Sequence, residues 1–472
     1  MATQIRWRVV LCALAVSQTV VATRAAFADE SAPASTANST STPPLNGAAS
    51  ATPSGDTDAT PPPAAVTKPP DGQAAPTNDA GGETFDYRTP RLEPAGFPLI
   101  GGDSDIGVEF GAVGTLTKLG GDVRPYLWNM DLLISLSAKS DLNGTEITQQ
   151  NYLWDIDVPG LFGGRLRLNP AVSFERTVNQ GYFGLGNASS ATLPAGTRGD
   201  ATRFFQLDER EARLRELTRI RWRPPVDIMV ATTFRYDDPH AYPGSRLALD
   251  AASGAVRGVG ALGIVLVGAG IVYDTRDNEY FPRWGSYHQI GLRVAQGFPA
   301  GDGVRYGGFG AMLAKYAPIG GPFIVAMRAT IDAEFGDVPF SDLFTGGPFQ
   351  TYEMIGGSAA IRGVPDGRYS GELKLFGNLE LRALLVQFRL LGQGFHLGGN
   401  VLFDAGRLWK NYSFDSPEDG RGIGIKWGTG AGAYLQWGQA AVFRIEVAYS
   451  PDATSENPGF PFGIYVEDGV MF

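Results

Sequence analysis

Thiols are all but missing from this 472-residue chain. The single cysteine, Cys12, sits in an apolar run near the N-terminus, so a disulfide framework or a cysteine-ligated metal site is excluded from the rest. Histidine is nearly as scarce. His240, His288 and His396 stand far apart, without nucleophile-elbow or metal-ligand spacing around them. The expectation is no enzyme, no catalytic residues, no metal and no cofactor. Positive charge is not in excess either: 39 Lys and Arg against 49 Asp and Glu give a net charge of −10. A phosphate-binding face needs clustered Lys and Arg, so nucleic acid is not an expected partner. Long apolar runs are also lacking. Gly258 to Tyr273 (GVGALGIVLVGAGIVY) is uncharged but shorter than the roughly 18–20 residues a membrane helix needs. Its five glycines each cost a helix about 1 kcal/mol relative to alanine. It reads as strand and hairpin.

What is present begins with an export signal. Arg6 and Arg8 precede a mostly apolar stretch from Val9 to Ala22, and Ala26-Phe27-Ala28 fits a small-x-small cleavage site before Asp29. Residues 1–28 are therefore expected to be a signal peptide. Residues 29–83 are dominated by Ala, Pro, Thr, Ser, Gly and Asp, with Pro61-Pro62-Pro63 and Pro69-Pro70. Such a segment has too little apolar surface to offset the entropy of ordering and reads as a disordered tether. Residues 84–96 form a lead-in.

From residue 97 to 472 the pattern is alternation. Phe323, Val325, Met327, Ala329, Ile331 and Phe335 fall on one side of a strand, with Arg328, Thr330, Asp332 and Glu334 on the other. Trp128, Met130, Leu132, Ile134 and Leu136 oppose Asn129, Asp131, Leu133, Ser135 and Ser137. Phe443, Ile445, Val447 and Tyr449 alternate with Arg444, Glu446 and Ala448. Strand side chains point alternately to opposite faces, so each segment has one apolar and one more polar face. A soluble β-sandwich would also show this. Two features favour a closed transmembrane β-barrel: segments of about 10 residues recur throughout, and the intervening loops differ greatly in length. Backbone polar groups in a bilayer must be paired internally, so such strands have to close. Ile464, Val466, Val470 and Phe472 share a face of the final strand, and a terminal aromatic there reads as a C-terminal assembly signal at Phe472.

Five motifs occur in a recognisable order. Tyr273 to Gly285 (YDTRDNEYFPRWG), with Asp274, Arg276, Asp277, Asn278, Pro282 and Gly285 at its fixed positions, resembles the signature of the BamA/TamA superfamily, also called the bacterial surface antigen family. Gly356 to Gly371 (GGSAAIRGVPDGRYSG) is similar to that family's conserved loop, with Val364 where an aromatic is usual. Phe376 to Arg382 (FGNLELR), Leu402 to Gly406 (LFDAG) and Tyr182 to Asn187 (YFGLGN) complete the set. The resemblance implies an all-β fold, an antiparallel outer-membrane barrel of 16 strands whose conserved loop folds into the lumen. It implies that Arg362 of the loop pairs with an acid on the inner wall, Asp404 first and Glu380 second, with Gly363 allowing close approach.

Two clusters leave alternatives open. The acid-and-amide run at Asp274 to Asn278 suggests calcium, but a strand before it and Pro282 after it suit a capped turn better. Arg213, Arg215, Arg219, Arg221 and Arg223 share one strand face, either as a basic stripe in the lumen or as a strand end at lipid headgroups. The functional expectation is protein (or lipid) insertion or translocation across the bacterial outer membrane through a gated lumen or lateral seam. Implied partners are outer-membrane lipids, the outer-membrane assembly machinery and client polypeptides. The client-receiving periplasmic domains of the family have no counterpart here, so a separate periplasmic partner on the tether is a further expectation. The alternative is a passive channel or structural barrel, and an outer-membrane enzyme is the third reading.

Overall fold

The computed structural model describes residues 89–472 except 104–106, 122, 124, 142–143, 196–202, 299–302, 391–392, 438–440, 454–460 and 469–470. The signal segment and the tether lie outside the described residues.

Among the described residues, sixteen strands of seven residues or more form the wall. They are β1 (Arg91–Asp103), β2 (Gly107–Leu119), β3 (Trp128–Asp141), β4 (Gly144–Gly160), β5 (Leu166–Gly181), β6 (Gln206–Arg223), β7 (Val226–Asp237) and β8 (Leu262–Asp274). The second half comprises β9 (Gly285–Phe298), β10 (Arg305–Gly320), β11 (Phe323–Asp337), β12 (Leu373–Leu390), β13 (Gln393–Trp409), β14 (Lys426–Trp437), β15 (Ala441–Tyr449) and β16 (Phe462–Asp468). Each pairs antiparallel with its successor, from Arg91 opposite Leu119 to Phe443 opposite Asp468. Long connections (182–205, 238–261, 338–372, 410–425 and 450–461) all fall at one end of the wall, and short turns at the other. The helix α1 (Arg246–Ala252) is capped by Ser245, whose side chain accepts from the Ala248 N–H.

The faces of the wall decide the architecture. On β11 Phe323, Met327 and Phe335 are exposed, while Arg328, Thr330, Asp332 and Glu334 are buried. On β3 Leu132 and Ile134 are exposed and Asn129, Asp131, Ser135 and Ser137 buried. A sandwich would bury the apolar face, whereas here the apolar face is outside and the charged face within, as lipid outside and a filled lumen require. Many of the lumenal charges pair with one another across the wall, as in Arg215–Asp155 at 2.9 Å and Arg293–Asp332 at 2.7 Å.

The wall begins six residues earlier than the alternation suggests, because β1 starts at Arg91 inside the expected lead-in. Pro94 and Gly96 mask the pattern there. Proline lacks an N–H and weakens the pattern of a strand without preventing its ladder to β2, which runs from Arg91 opposite Leu119 to Asp103 opposite Gly107.

Candidate functional site

The connection between β11 and β12 turns into the lumen, and its tip carries Arg362, fully buried. The guanidinium grips Asp404 of β13 with two parallel bonds, Nε to Oδ2 at 2.8 Å and Nη2 to Oδ1 at 2.9 Å. Nη1 donates to Glu380 of β12 at 2.6 Å and to Glu446 of β15 at 2.9 Å. The Arg362 backbone N–H adds a bond to Asp404 at 3.1 Å. Burial works against the charge on Arg362, but Asp404, Glu446 and Glu380 outweigh it and raise the group well above its ordinary range. The expected partners Asp404 and Glu380 are both brought to Arg362. Glu446 is a third that sequence reasoning did not assign, although it stands on the polar face of an alternating strand.

Two glycines let the loop this close. Gly363 has φ +93, and a Cβ there would stand 2.9 Å from the Tyr449 carbonyl carbon. Its N–H donates to the Tyr465 hydroxyl at 2.6 Å. On the wall, a Cβ on Gly428 would lie 1.8 Å from the Arg362 carbonyl oxygen, so only glycine fits. Asn378 ties loop to wall as well, donating to the Ala360 carbonyl at 2.6 Å and to Asp404 at 2.8 Å. Val364 packs with no exposed surface among Tyr352, Met354, Ile361, Tyr369 and Phe376. The aliphatic side chain thus fills its place without the aromatic usual at that position.

The root of the loop has its own anchor. Asp342 accepts two bonds from Arg235 of β7, at 2.8 and 2.7 Å, and one from the Tyr306 hydroxyl at 2.7 Å. Burial tends to raise the Asp342 carboxyl, but Arg235 overcomes it and brings the group down to about 2.

At the short-turn end, the motif between β8 and β9 is a self-capped turn, as the Pro282 context suggested. Arg276 pairs with Asp274, Nη2 to Oδ2 at 3.0 Å, and stacks 3.8 Å above the Tyr287 ring. Asp277 accepts the backbone N–H groups of Arg283 and Trp284 at 2.8 and 3.1 Å. Asn278 accepts those of Tyr280 and Phe281 at 2.8 and 2.9 Å. Gly285 opens β9 at φ +109, with the Thr275 carbonyl where a Cβ would be. Between the caps the turn carries Glu279 and Tyr280 to distant parts of the wall. Glu279 pairs with Arg167 of β5 at 2.7 Å, and Arg167 also holds Asp157 at 2.6 Å. The Tyr280 hydroxyl donates to that of Tyr126 at 2.9 Å, which bonds Asp157 at 2.5 Å. No sequence signal marked this latch, because its members lie up to 154 positions apart.

One expectation is corrected, and one of two open alternatives is narrowed. Phe472 does not extend the apolar face of the last strand: β16 ends at Asp468, and Phe472 is buried against Met312, Tyr316 and Phe349. The Arg328 and Arg382 guanidiniums stand 4.9 Å from its ring, an attraction to the π face that a lipid-facing site would not supply. The β6 arginines do not form an anion-attracting stripe. Arg215 pairs with Asp155 and Arg219 with Asp227 at 2.7 Å, so the inward charges are neutralised, while Arg223 lies exposed at the strand end over Trp222.

A family model described as the Omp85 superfamily domain matches residues 228–464, half of the chain. Among solved structures, the chain is similar to BamA from Haemophilus ducreyi lacking POTRA domains 1-3, at 13% identity and TM-score 0.47, covering 81% of this chain and 70% of that one. CdiB from Escherichia coli matches at 12% identity and TM-score 0.48, over 79% of this chain and 61% of CdiB. CdiB from Acinetobacter baumannii matches at 13% and 0.42, over 80% and 59%, so the chain spans less than two thirds of either CdiB. No curated protein matches the sequence.

Proposed function

The chain belongs to the Omp85 superfamily of bacterial outer-membrane barrels, and from that premise we propose that it inserts or translocates polypeptide by transient opening between β1 and β16. The observation that carries this reading is the seam. Among the described residues, β1 and β16 share no backbone ladder; they meet through side chains. Leu99 of β1 packs with Val466 of β16 and Leu133 of β3, and behind β16 the Phe97 ring stands edge-on to Phe443 of β15 at 4.7 Å. Every other neighbouring pair in the wall is laddered, with seven backbone pairs even between β15 and short β16. Pro94 and Pro98 remove two N–H donors from β1. Parting such a seam gives up apolar contacts, each a fraction of the few kcal/mol that burying a side chain contributes, rather than a row of hydrogen bonds.

The loop lock supports the same reading. Arg362 binds β12, β13 and β15, the side of the wall adjoining the seam, while the Glu279–Arg167 latch braces β5 on the other half. Movement at the seam can thus proceed while each half keeps its shape. The tether at residues 29–83 is the segment we propose to recruit a separate periplasmic partner.

A cysteine pair at Leu99 and Val466 tests the proposal, since Cys12 is the sole native cysteine. In liposomes, the oxidised Leu99→Cys/Val466→Cys protein should fail to insert a β-barrel client, and reduction should restore insertion. Undiminished insertion by the cross-linked protein would refute seam opening. Stable ion conductance with no client insertion in either redox state would favour a passive channel instead.

A further inference from the structure

Between β5, β6 and the inward loop lies a chamber of about 110 Å³. Five carboxyl side chains line it: Glu175 from β5, Glu209 and Glu211 from β6, and Glu353 and Asp366 from the loop. The two arginines in its lining are already committed. Arg213 pairs with Glu211 at 2.7 Å, and Arg235 with Asp342 at 2.7 Å and Asp237 at 3.0 Å. No ion pair among the described residues reaches Glu175, Glu209, Glu353 or Asp366. Glu353 Oε2 and Asp366 Oδ1 are closed off from solvent, and the two carboxyls share a hydrogen bond, which requires a proton on one of them. They crowd the same space, since a Cβ on Gly357 would lie 2.6 and 2.2 Å from them. Two further lining groups are buried and unpartnered: the Tyr352 hydroxyl, on a residue 4% exposed, and the Gln180 amide nitrogen, on one 8% exposed.

Carboxylates crowded together without an opposing cation are costly unless a cation or a proton joins them. We propose that this chamber is a binding site for a small organic cation with several N–H donors, an ammonium compound of the polyamine class. The carboxylates surround a space rather than converge on a point, and among the described residues no three acidic or histidine side chains are placed to hold a metal ion. An alkylammonium does not need convergence. Each N–H takes one carboxylate, the Tyr352 hydroxyl accepts another, and the volume exceeds the roughly 10–15 Å³ that a single water requires on the same kind of measure. Glu175 and Glu209 stand near the long-loop ends of β5 and β6, which gives access from that end. The proposal does not depend on seam opening.

Protons compete with the cation. Burial, then the neighbouring Asp366, pushes the loop carboxyl of Glu353 well above its ordinary range. The groups facing it across the chamber are Glu175, Glu209, Glu211, Arg213 and Arg235. A bound cation favours the ionised carboxyl, so binding should release protons and tighten as pH rises.

Calorimetric titration of the full chain in detergent with spermidine, at pH 6 and pH 8, reads this directly. The expected result is saturable binding that is tighter at pH 8 and accompanied by proton release. Glu353→Gln with Asp366→Asn should weaken it about tenfold or more, the scale of hydrogen bonds to charged groups. Glu209→Gln changes the wall alone, leaves the loop sequence intact and should weaken binding as well, which guards against a misfolded loop. Absence of spermidine binding to the folded wild type would overturn the proposal. So would binding indifferent to both variants, and so would calcium binding that those variants abolish in place of spermidine binding.

Discussion

Replacing Arg362 with alanine removes the central member of the loop lock. Four side-chain bonds to three buried carboxylates disappear, and Asp404, Glu380 and Glu446 are left facing one another. Other donors mitigate this in part: Asn378 still serves Asp404, Arg382 serves Glu380 at 2.7 Å, and Asn400 serves Glu446 at 2.7 Å. Breaking a buried pair from one side typically costs about 3–5 kcal/mol. At about 1.4 kcal/mol per factor of ten, the undocked loop should become roughly 10²–10⁴ times more populated relative to the docked one. Single-channel recording of the refolded protein in a planar bilayer reads that population as opening events. Arg362→Ala should convert rare openings to frequent large ones. Arg362→Lys should fall between, because a compact ammonium cannot reproduce the parallel pair with Asp404. In a cycle with Asp404→Asn, the two single effects should be clearly non-additive, as expected for side chains in contact. If Arg362→Ala and wild type give indistinguishable records, the loop is not held by this pair and the reasoning fails.

Further outcomes follow from other parts of the lumen. Glu279→Gln should lower thermal stability by about 1–3 kcal/mol of unfolding free energy, because Arg167 retains Asp157; a melt shifted no more than that of a surface Glu→Gln variant would refute the latch. Phe472→Ala should cost about 3–5 kcal/mol in a core setting, read as a lower temperature of heat-modified gel migration, and a change confined to assembly yield would return Phe472 to an assembly-signal role. Acid should loosen the root of the loop. The Asp342 carboxyl falls from an ordinary value near 3.9 to about 2 in the fold, so its contribution is complete above about pH 4 and lost as pH falls toward 2. Glu353 acts in the opposite sense: with its pKa raised by burial and by Asp366, its favourable neutral form is present below about pH 4 and is lost as pH rises. Protease protection of the loop should therefore weaken at both extremes, and loss at the acid end alone would contradict the Glu353 assignment. Deleting residues 29–83 should leave the barrel assembled but abolish client insertion, and full activity without them would exclude a recruiting tether.

The sequence by itself determined which face of each strand is apolar, because a period of two is written into the chain locally and needs no knowledge of neighbours. The same holds for the turn from Asp274 to Gly285, whose caps join residues at most eleven positions apart. Arg362, Asp404 and Glu380 were legible through the resemblance, since their motifs stand intact in order. What only the tertiary structure decided is everything that joins distant strands. Glu446 enters the lock because β15 curves round to face β12 and β13, and Glu279 meets Arg167 because the turn reaches across the barrel end. Phe472 turns inward because the aromatic ring gains two guanidiniums and an apolar pocket there, a competition between sites that no local pattern records. The acidic chamber is of the same kind. Its carboxylates come from β5, β6 and two points of one loop, and their mutual repulsion exists only once the loop has folded into the lumen.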